Sequence, residues 1–179
     1  DAVAAIIVST DNDTASKLIE EVSNIETETN LSLKVIAGIS EKDGDKFTEL
    51  SETNKDQVEK LTISAIQKAE NTNEDSQLIA NVVAAASDEL ANKVVEEVSK
   101  NNKDEKQDLS AKVLKAIVET QPNKIEIINE EIKEVVIKQT VEAVKTQQET
   151  ETNIALEDDL TDAVAAIIVS TDNDTASKL

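Results

Sequence analysis

The chain has 179 residues, 39% of them apolar, with 38 acidic residues against 18 basic ones and a formal charge of −20. This acidity excludes nucleic acids and anionic membrane surfaces as partners, and the longest apolar run, residues 2–8, is far below the roughly 20 residues of a membrane-spanning helix. Cysteine and histidine are absent, which excludes disulfide bonds and the usual nucleophile–base pairs, so we expect no enzyme, no catalytic residue and no bound cofactor.

The segment at positions 1–18 recurs without change at positions 162–179. Identical copies at a fixed interval are typical of proteins built from tandem repeats. We therefore interpret residues 1–179 as one full 161-residue repeat followed by the first 18 residues of the next. The expected partners of each repeat are adjacent identical repeats of the same chain.

The repeat contains a weaker internal duplication. Two segments return with changes: ASKLIEEVS at 15–23 returns as ANKVVEEVS at 91–99, and LSLKVIAGI at 31–39 returns as LSAKVLKAI at 109–117. Beyond the second segment the same register continues, with apolar residues opposite apolar ones, and it pairs Phe47 with Ile125. The pattern predicts two diverged half-repeats, residues 14–89 and 90–174.

Apolar residues in both halves keep the spacing of an amphipathic helix, and none of these stretches alternates with a period of two. Polar clusters rich in Ser, Thr, Asn and Asp lie between them and offer N-caps followed by acidic first turns. We predict about ten helices of roughly 10–15 residues in each repeat. The stretch from Pro122 to Gln148 contains no internal helix breaker, so the pattern leaves the helix boundaries there open.

Helices this short are marginal alone in water, so each must bury its apolar face on neighbours. The predicted all-α fold is therefore either an α-solenoid of stacked hairpins or a string of small helical bundles, and the sequence leaves both open. In the solenoid, five hairpins at the usual spacing of about 10 Å would add roughly 50 Å per repeat. The only aromatic residue, Phe47, is expected in an otherwise aliphatic core.

Three short acidic motifs are candidate metal sites, because hard cations such as calcium bind clustered carboxylate oxygens. Neither DNDT nor DGD fits the twelve-residue calcium loop with Gly at position 6 and Glu at position 12. The second half also has QPN in the place of DGD. We predict helix caps and turns at these positions, with calcium as the alternative. The residues are Asp11 and Asp13, their copies Asp172 and Asp174, and Asp43 and Asp45.

A chain of nearly identical copies provides length, or presents one surface many times. Our first hypothesis is a structural one: a segment of a long tandem-repeat α-helical fibre, filament or adhesin stalk, outside a bacterial cell or on its surface. The strong negative charge would keep such a polymer soluble. In a variant of this hypothesis, lateral copies associate through cations into a multistranded fibre. The alternative is an acidic α-solenoid scaffold that binds a protein partner, although Tyr, Trp and Arg anchors are absent.

Overall fold

A computed structural model describes residues 2–25, 31–70, 72–101 and 109–150, together with residues 165, 168 and 169. The described residues form helices with short connections and contain no strand, which confirms the all-α fold that the apolar spacing predicts. The helices in residues 2–150 are α1 (Ala2–Val8), α2 (Asn12–Asn24), α3 (Leu31–Lys42), α4 (Gly44–Thr53), α5 (Lys55–Lys68), α6 (Asn73–Ala85), α7 (Asp88–Lys100), α8 (Leu109–Thr120), α9 (Asn123–Ile127) and α10 (Glu130–Thr150).

The described helices lie in two rows. In the first row α1, α3, α6 and α8 pack side by side, and in the second row α2, α5, α7 and α10 do the same. Each helix of one row also contacts its partner in the other, while α4 lies between α3 and α5 and α9 packs on α8. The described part of the repeat therefore has four two-layer units, not the five hairpins that helix counting suggested, because α4 and α9 act as connectors.

Local sequence explains why each helix begins and ends where it does, and α7 is a clear example. The hydroxyl of its N-cap, Ser87, accepts a hydrogen bond from the backbone N–H of Leu90, and acidic residues occupy the first turn. Lys100 lies in the last turn, where a cation interacts well with the helix dipole. The buried apolar residues of α7 are Leu90, Ala91, Val94, Val95 and Val98.

One contiguous hydrophobic core runs through the described units and crosses from the first half-repeat to the second. It is aliphatic except for Phe47, which is only 1% exposed, as the sequence predicts. Two buried threonines satisfy their hydroxyls inside their own helices: Thr62 donates to the carbonyl of Val58 and Thr140 to that of Val136. The two threonines are equivalent in the register that pairs Phe47 with Ile125, so this polar detail follows the internal duplication as the apolar pairs do.

In the first row, α1 and α3 approach each other closely. A Cβ atom added to Gly38 would lie 3.0 Å from the Cβ of Ala4, so glycine allows the two helices to approach this closely. In the second half, the residue equivalent to Gly38 is Ala116, which is also buried. The close approach at Gly38 therefore belongs to the α1–α3 contact rather than to every unit.

The two predicted half-repeats differ in the length of their connecting helices, α4 in the first and α9 in the second, which occupy equivalent places. α4 has ten residues and α9 has five, yet Phe47 and its counterpart Ile125 are both buried. The helical path is interrupted between α9 and α10. Here the backbone N–H of Asn129 donates to the side chain of Asn92 at 2.7 Å. The Asn129 side chain then accepts from the backbone N–H of Glu131, near the start of α10. α9 therefore ends at its C-cap Ile128, and Asn129 orders the start of α10 where no glycine or proline stands.

Candidate functional site: the α5–α7 contact and the edge groove

The contact between α5 and α7 carries a dense set of cross-unit polar interactions in the second row. Lys55 of α5 contacts Glu89 of α7 at 2.6 Å, and Lys93 of α7 contacts Glu59 of α5 at 2.7 Å. Lys93 also lies 3.4 Å from Glu89, one helical turn away. The four side chains alternate in charge along the contact, so they fix the register of the two helices more than they add stability.

The charges at this contact influence one another. The hydrogen bond from Lys55, with a second from Lys93, lowers the pKa of the Glu89 carboxyl. The hydrogen bond to Glu59 raises the pKa of the Lys93 ammonium, because it favours the charged form. Both shifts favour the ionised forms, so Glu89 and Lys93 are charged at neutral pH, as paired charges require.

An open groove of about 740 Å³, which we call the edge groove, lies where α3, α6 and α8 end and α4, α7 and α9 begin. Among the described residues that line it, most are polar or small and none is isoleucine or leucine. One ammonium group of this described lining, that of Lys124, faces the groove. The carboxylates that line it belong to Glu41, Asp45, Glu52 and Asp88.

The polar groups of the edge groove hold the end of α6 in place. The hydroxyl of Thr48 donates to the carbonyl of Ala85 at 2.8 Å, and Lys124 donates to the carbonyl of Ala86 at 2.8 Å. The last carbonyls of a helix have no partner within it, so these side chains from the units on either side act as caps. The Ser40 hydroxyl donates within its own helix, to the carbonyl of Ala37. The groove therefore joins consecutive units.

The predicted capping residues of the first half behave as the sequence indicated. Asp11 is the N-cap of α2, and its two carboxylate oxygens accept from the backbone N–H and the hydroxyl of Thr14, both at 2.9 Å. These hydrogen bonds lower the pKa of Asp11. Asp43 is the N-cap of α4 and accepts from the backbone N–H of Lys46 at 2.9 Å. Asp13 and Asp45 lie exposed in the first turns of the same helices.

The starts of α2 and α4 lie beside each other, joined through one amide. The side chain of Asn12 donates to Glu49 at 2.8 Å and accepts from the ammonium of Lys46. Within the described ranges, no three carboxylates are grouped so that they could hold a metal ion. Asp172 and Asp174, the remaining candidates for calcium, lie outside the described residues.

The α5–α7 contact was not predicted from the sequence, although the sequence contains a signal for it. Ion pairs between helices depend on which helices are neighbours, and the spacing within each helix does not reveal this. The signal is a pattern of charges: Glu89, Lys93 and Glu97 of α7 repeat the signs of three residues of α2 when ANKVVEEVS is aligned with ASKLIEEVS. The three residues of α2 are Asp13, Lys17 and Glu21.

Comparison of the chain with protein-family models, with curated protein sequences and with solved structures found no match in any of the three. Among the helices that the structure describes, none is long and apolar enough to cross a membrane.

Proposed function

We propose that this chain is a length-giving segment of a tandem-repeat helical fibre or stalk, outside a bacterial cell or on its surface. The observation that carries the proposal is the serial packing of the two rows, in which each helix packs on the next along the row. In such an array a further repeat adds length without changing the contacts of those before it. The unchanged segment that begins at residue 1 and again at residue 162 supplies the repetition.

The chemistry of the described surface supports a structural role. The hydroxyls of Ser40 and Thr48 and the ammonium of Lys124 in the edge groove are engaged in capping or in bonds within their own helix. The net charge of −20 favours solubility and keeps parallel strands apart at low salt. A passive spacer needs both properties, namely rigid contacts along the chain and a surface that does not aggregate.

Electron microscopy of proteins with two, four and eight consecutive repeats tests this proposal. From the four units that the described residues form and a helix spacing of about 10 Å, we expect the contour length to grow by roughly 40 Å per repeat. Compact particles whose size does not follow the repeat number would contradict the proposal. The same samples with calcium and with a chelator test the lateral variant, since a multistranded fibre bridged by cations should separate when the chelator is added.

A second candidate function, an acidic scaffold for a basic protein segment, is favoured by one observation. In the described lining of the edge groove, four carboxylates face one ammonium, so the field of the groove attracts a cationic peptide. Titration with a lysine-rich peptide tests this: saturable binding that persists at physiological salt would favour the scaffold. Binding that disappears at that salt concentration would indicate only diffuse attraction, as expected for the spacer.

A further inference from the structure

α2 and α7 occupy equivalent places in the second row, and their faces toward the preceding unit match. Both helices have 13 residues. On α7 this face is engaged: Glu89 and Lys93 pair with α5, Glu97 accepts from Gln67 at 2.8 Å, and Asn101 donates to the carbonyl of Ile66 at 2.8 Å. The matching residues of α2 are Asp13, Lys17, Glu21 and Ile25.

The matching face of α2 is exposed. All four residues are exposed, including Ile25 at 44%, and within the described residues no unit precedes α2 in the row. Three of the four keep the charge signs that α7 uses against α5. The fourth residue, Ile25, is apolar and stands where α7 has Asn101.

α1 shows the same relation to α6 in the first row. The segment LTDAVAAII, which begins at position 160, matches LIANVVAAA of α6, which begins at position 78, and its last six letters are also the first six of α1. This alignment places the exposed residues Ala2, Ala5 and Ile6 opposite three residues of α6 that line the edge groove. Ile6 is 53% exposed. The α6 residues, which face the end of α3 and the start of α4, are Asn81, Ala84 and Ala85.

The second copy of the repeated segment shows that neighbours decide its burial. Ala4 is buried against α3, whereas Ala165, the same residue of the second copy, is exposed. Val169, which corresponds to Val8, is 86% exposed. The two segments have identical sequences, so the difference comes from what packs on each of them.

We propose that the exposed faces of α1 and α2 form a docking surface for a second copy of this repeat, whose α8, α9 and α10 pack on it as α3, α4 and α5 pack on α6 and α7. This inference rests on the proposed spacer function and names its partner. Ile6 then takes the place of Ala85 and packs against α9 of the preceding copy, which removes its exposed side chain from water.

One of the two ion pairs of the α5–α7 contact has an equivalent at this junction, because Ile137 stands where α5 has Glu59. Lys133 of α10 is equivalent to Lys55, and its ammonium already contacts Glu130 at 2.6 Å. At the junction Asp13 takes the place of Glu89 and lies beside this pair. Lys133 is only 1% exposed, whereas Lys55 lies at the surface, so Ile6 contributes more to the junction than this charge does.

A protein of two consecutive repeats tests this junction with a matched control. In it, Ile6 lies at the free end and Ile167, the same residue of the next copy, lies at the junction. We expect Ile167→Asp to lower the thermal unfolding midpoint by about 5 °C, and Ile6→Asp by about 1 °C or less. The local sequence is identical at the two sites, so the difference measures the junction alone.

Equal midpoint shifts for the two aspartate variants would overturn the proposal, because they would show that both isoleucines meet the same surroundings. If Ile167→Asp prevents folding, the milder pair Ile167→Ala and Ile6→Ala gives the same comparison with a smaller difference. Equal shifts together with a contour length that still grows by a constant amount would reject this junction and leave the spacer function standing. A contour length that does not grow would reject the spacer function itself.

Discussion

α2 and α7 are two versions of one helix in different surroundings. They share their length, their charge pattern and an apolar stripe, and the buried Ile19 of α2 stands where α7 has the buried Val95. They differ on one side: α7 meets α5 through ion pairs, whereas the corresponding face of α2 is exposed. The comparison teaches that one pattern of residues can be engaged or exposed, depending on whether another helix packs on it.

The largest expected effect tests whether the two helices share one core. Ile19→Ala should lower the free energy of unfolding by about 3 kcal/mol, and Val95→Ala by about 2 kcal/mol, because each removes buried methyl groups and leaves a cavity. Urea denaturation followed by circular dichroism measures both. A loss below about 0.5 kcal/mol for Ile19→Ala would show that α2 is not packed on the core as α7 is.

Removing the N-caps of α2 and α7 compares the two helices through a smaller loss of stability. Ser87→Ala should cost about 1 kcal/mol, because the first turn of α7 loses a hydrogen-bond acceptor. Asp11→Ala should lower the unfolding midpoint more than Ser87→Ala, since the carboxylate of Asp11 accepts two hydrogen bonds at the start of α2. The opposite order in thermal unfolding would mean that the start of α2 is frayed in solution.

Acid unfolding tests the charges of the α5–α7 contact. A carboxyl whose pKa is lowered by folding adds stability that is present above its unfolded pKa, about 4.3 for glutamate, and is lost as the pH falls through the folded value. Glu89 is such a group, so Glu89→Gln should reduce the loss of stability between about pH 5 and pH 3. Asp13→Asn, at the matching exposed position of α2, is the control. An unchanged pH profile for Glu89→Gln would contradict the pairing with Lys55.

The smallest expected effect comes from the lysines themselves. Lys93→Gln should cost about 0.5 kcal/mol at low salt and less at high salt, since the pair with Glu59 is partly exposed. Lys17→Gln, the same change on the exposed face of α2, should have no measurable effect in a single repeat. A clear loss for Lys17→Gln would reveal a partner for α2 within the same repeat. Chemical denaturation at two salt concentrations measures both variants.

Much of the fold was predictable because it depends on local periodicity. The apolar spacing identifies α7, and the internal duplication pairs Phe47 with Ile125, both of which are buried. The caps Asp11 and Asp43 were also predicted from their motifs. The helices and caps depend on residues within about one helical turn, which the sequence displays directly.

The remainder required knowledge of which segments are neighbours. The break at Asn129 is held by Asn92 from another helix, so the residues between Pro122 and Gln148 do not reveal it. In the described residues there are four units rather than five, because α4 and α9 serve as connectors although their apolar spacing resembles that of the row helices. The α5–α7 charges and the edge groove were missed for the same reason, since both depend on contacts between units.

A distance between consecutive repeats tests most directly the claim that they form one continuous stack. The chain contains no cysteine, so Glu20→Cys in both copies of a two-repeat protein places two spin labels on the exposed side of α2 and nowhere else. Four units at about 10 Å each predict one narrow distance distribution centred near roughly 40 Å. A broad distribution extending over tens of ångströms would contradict the account, because it would show repeats joined as independent beads.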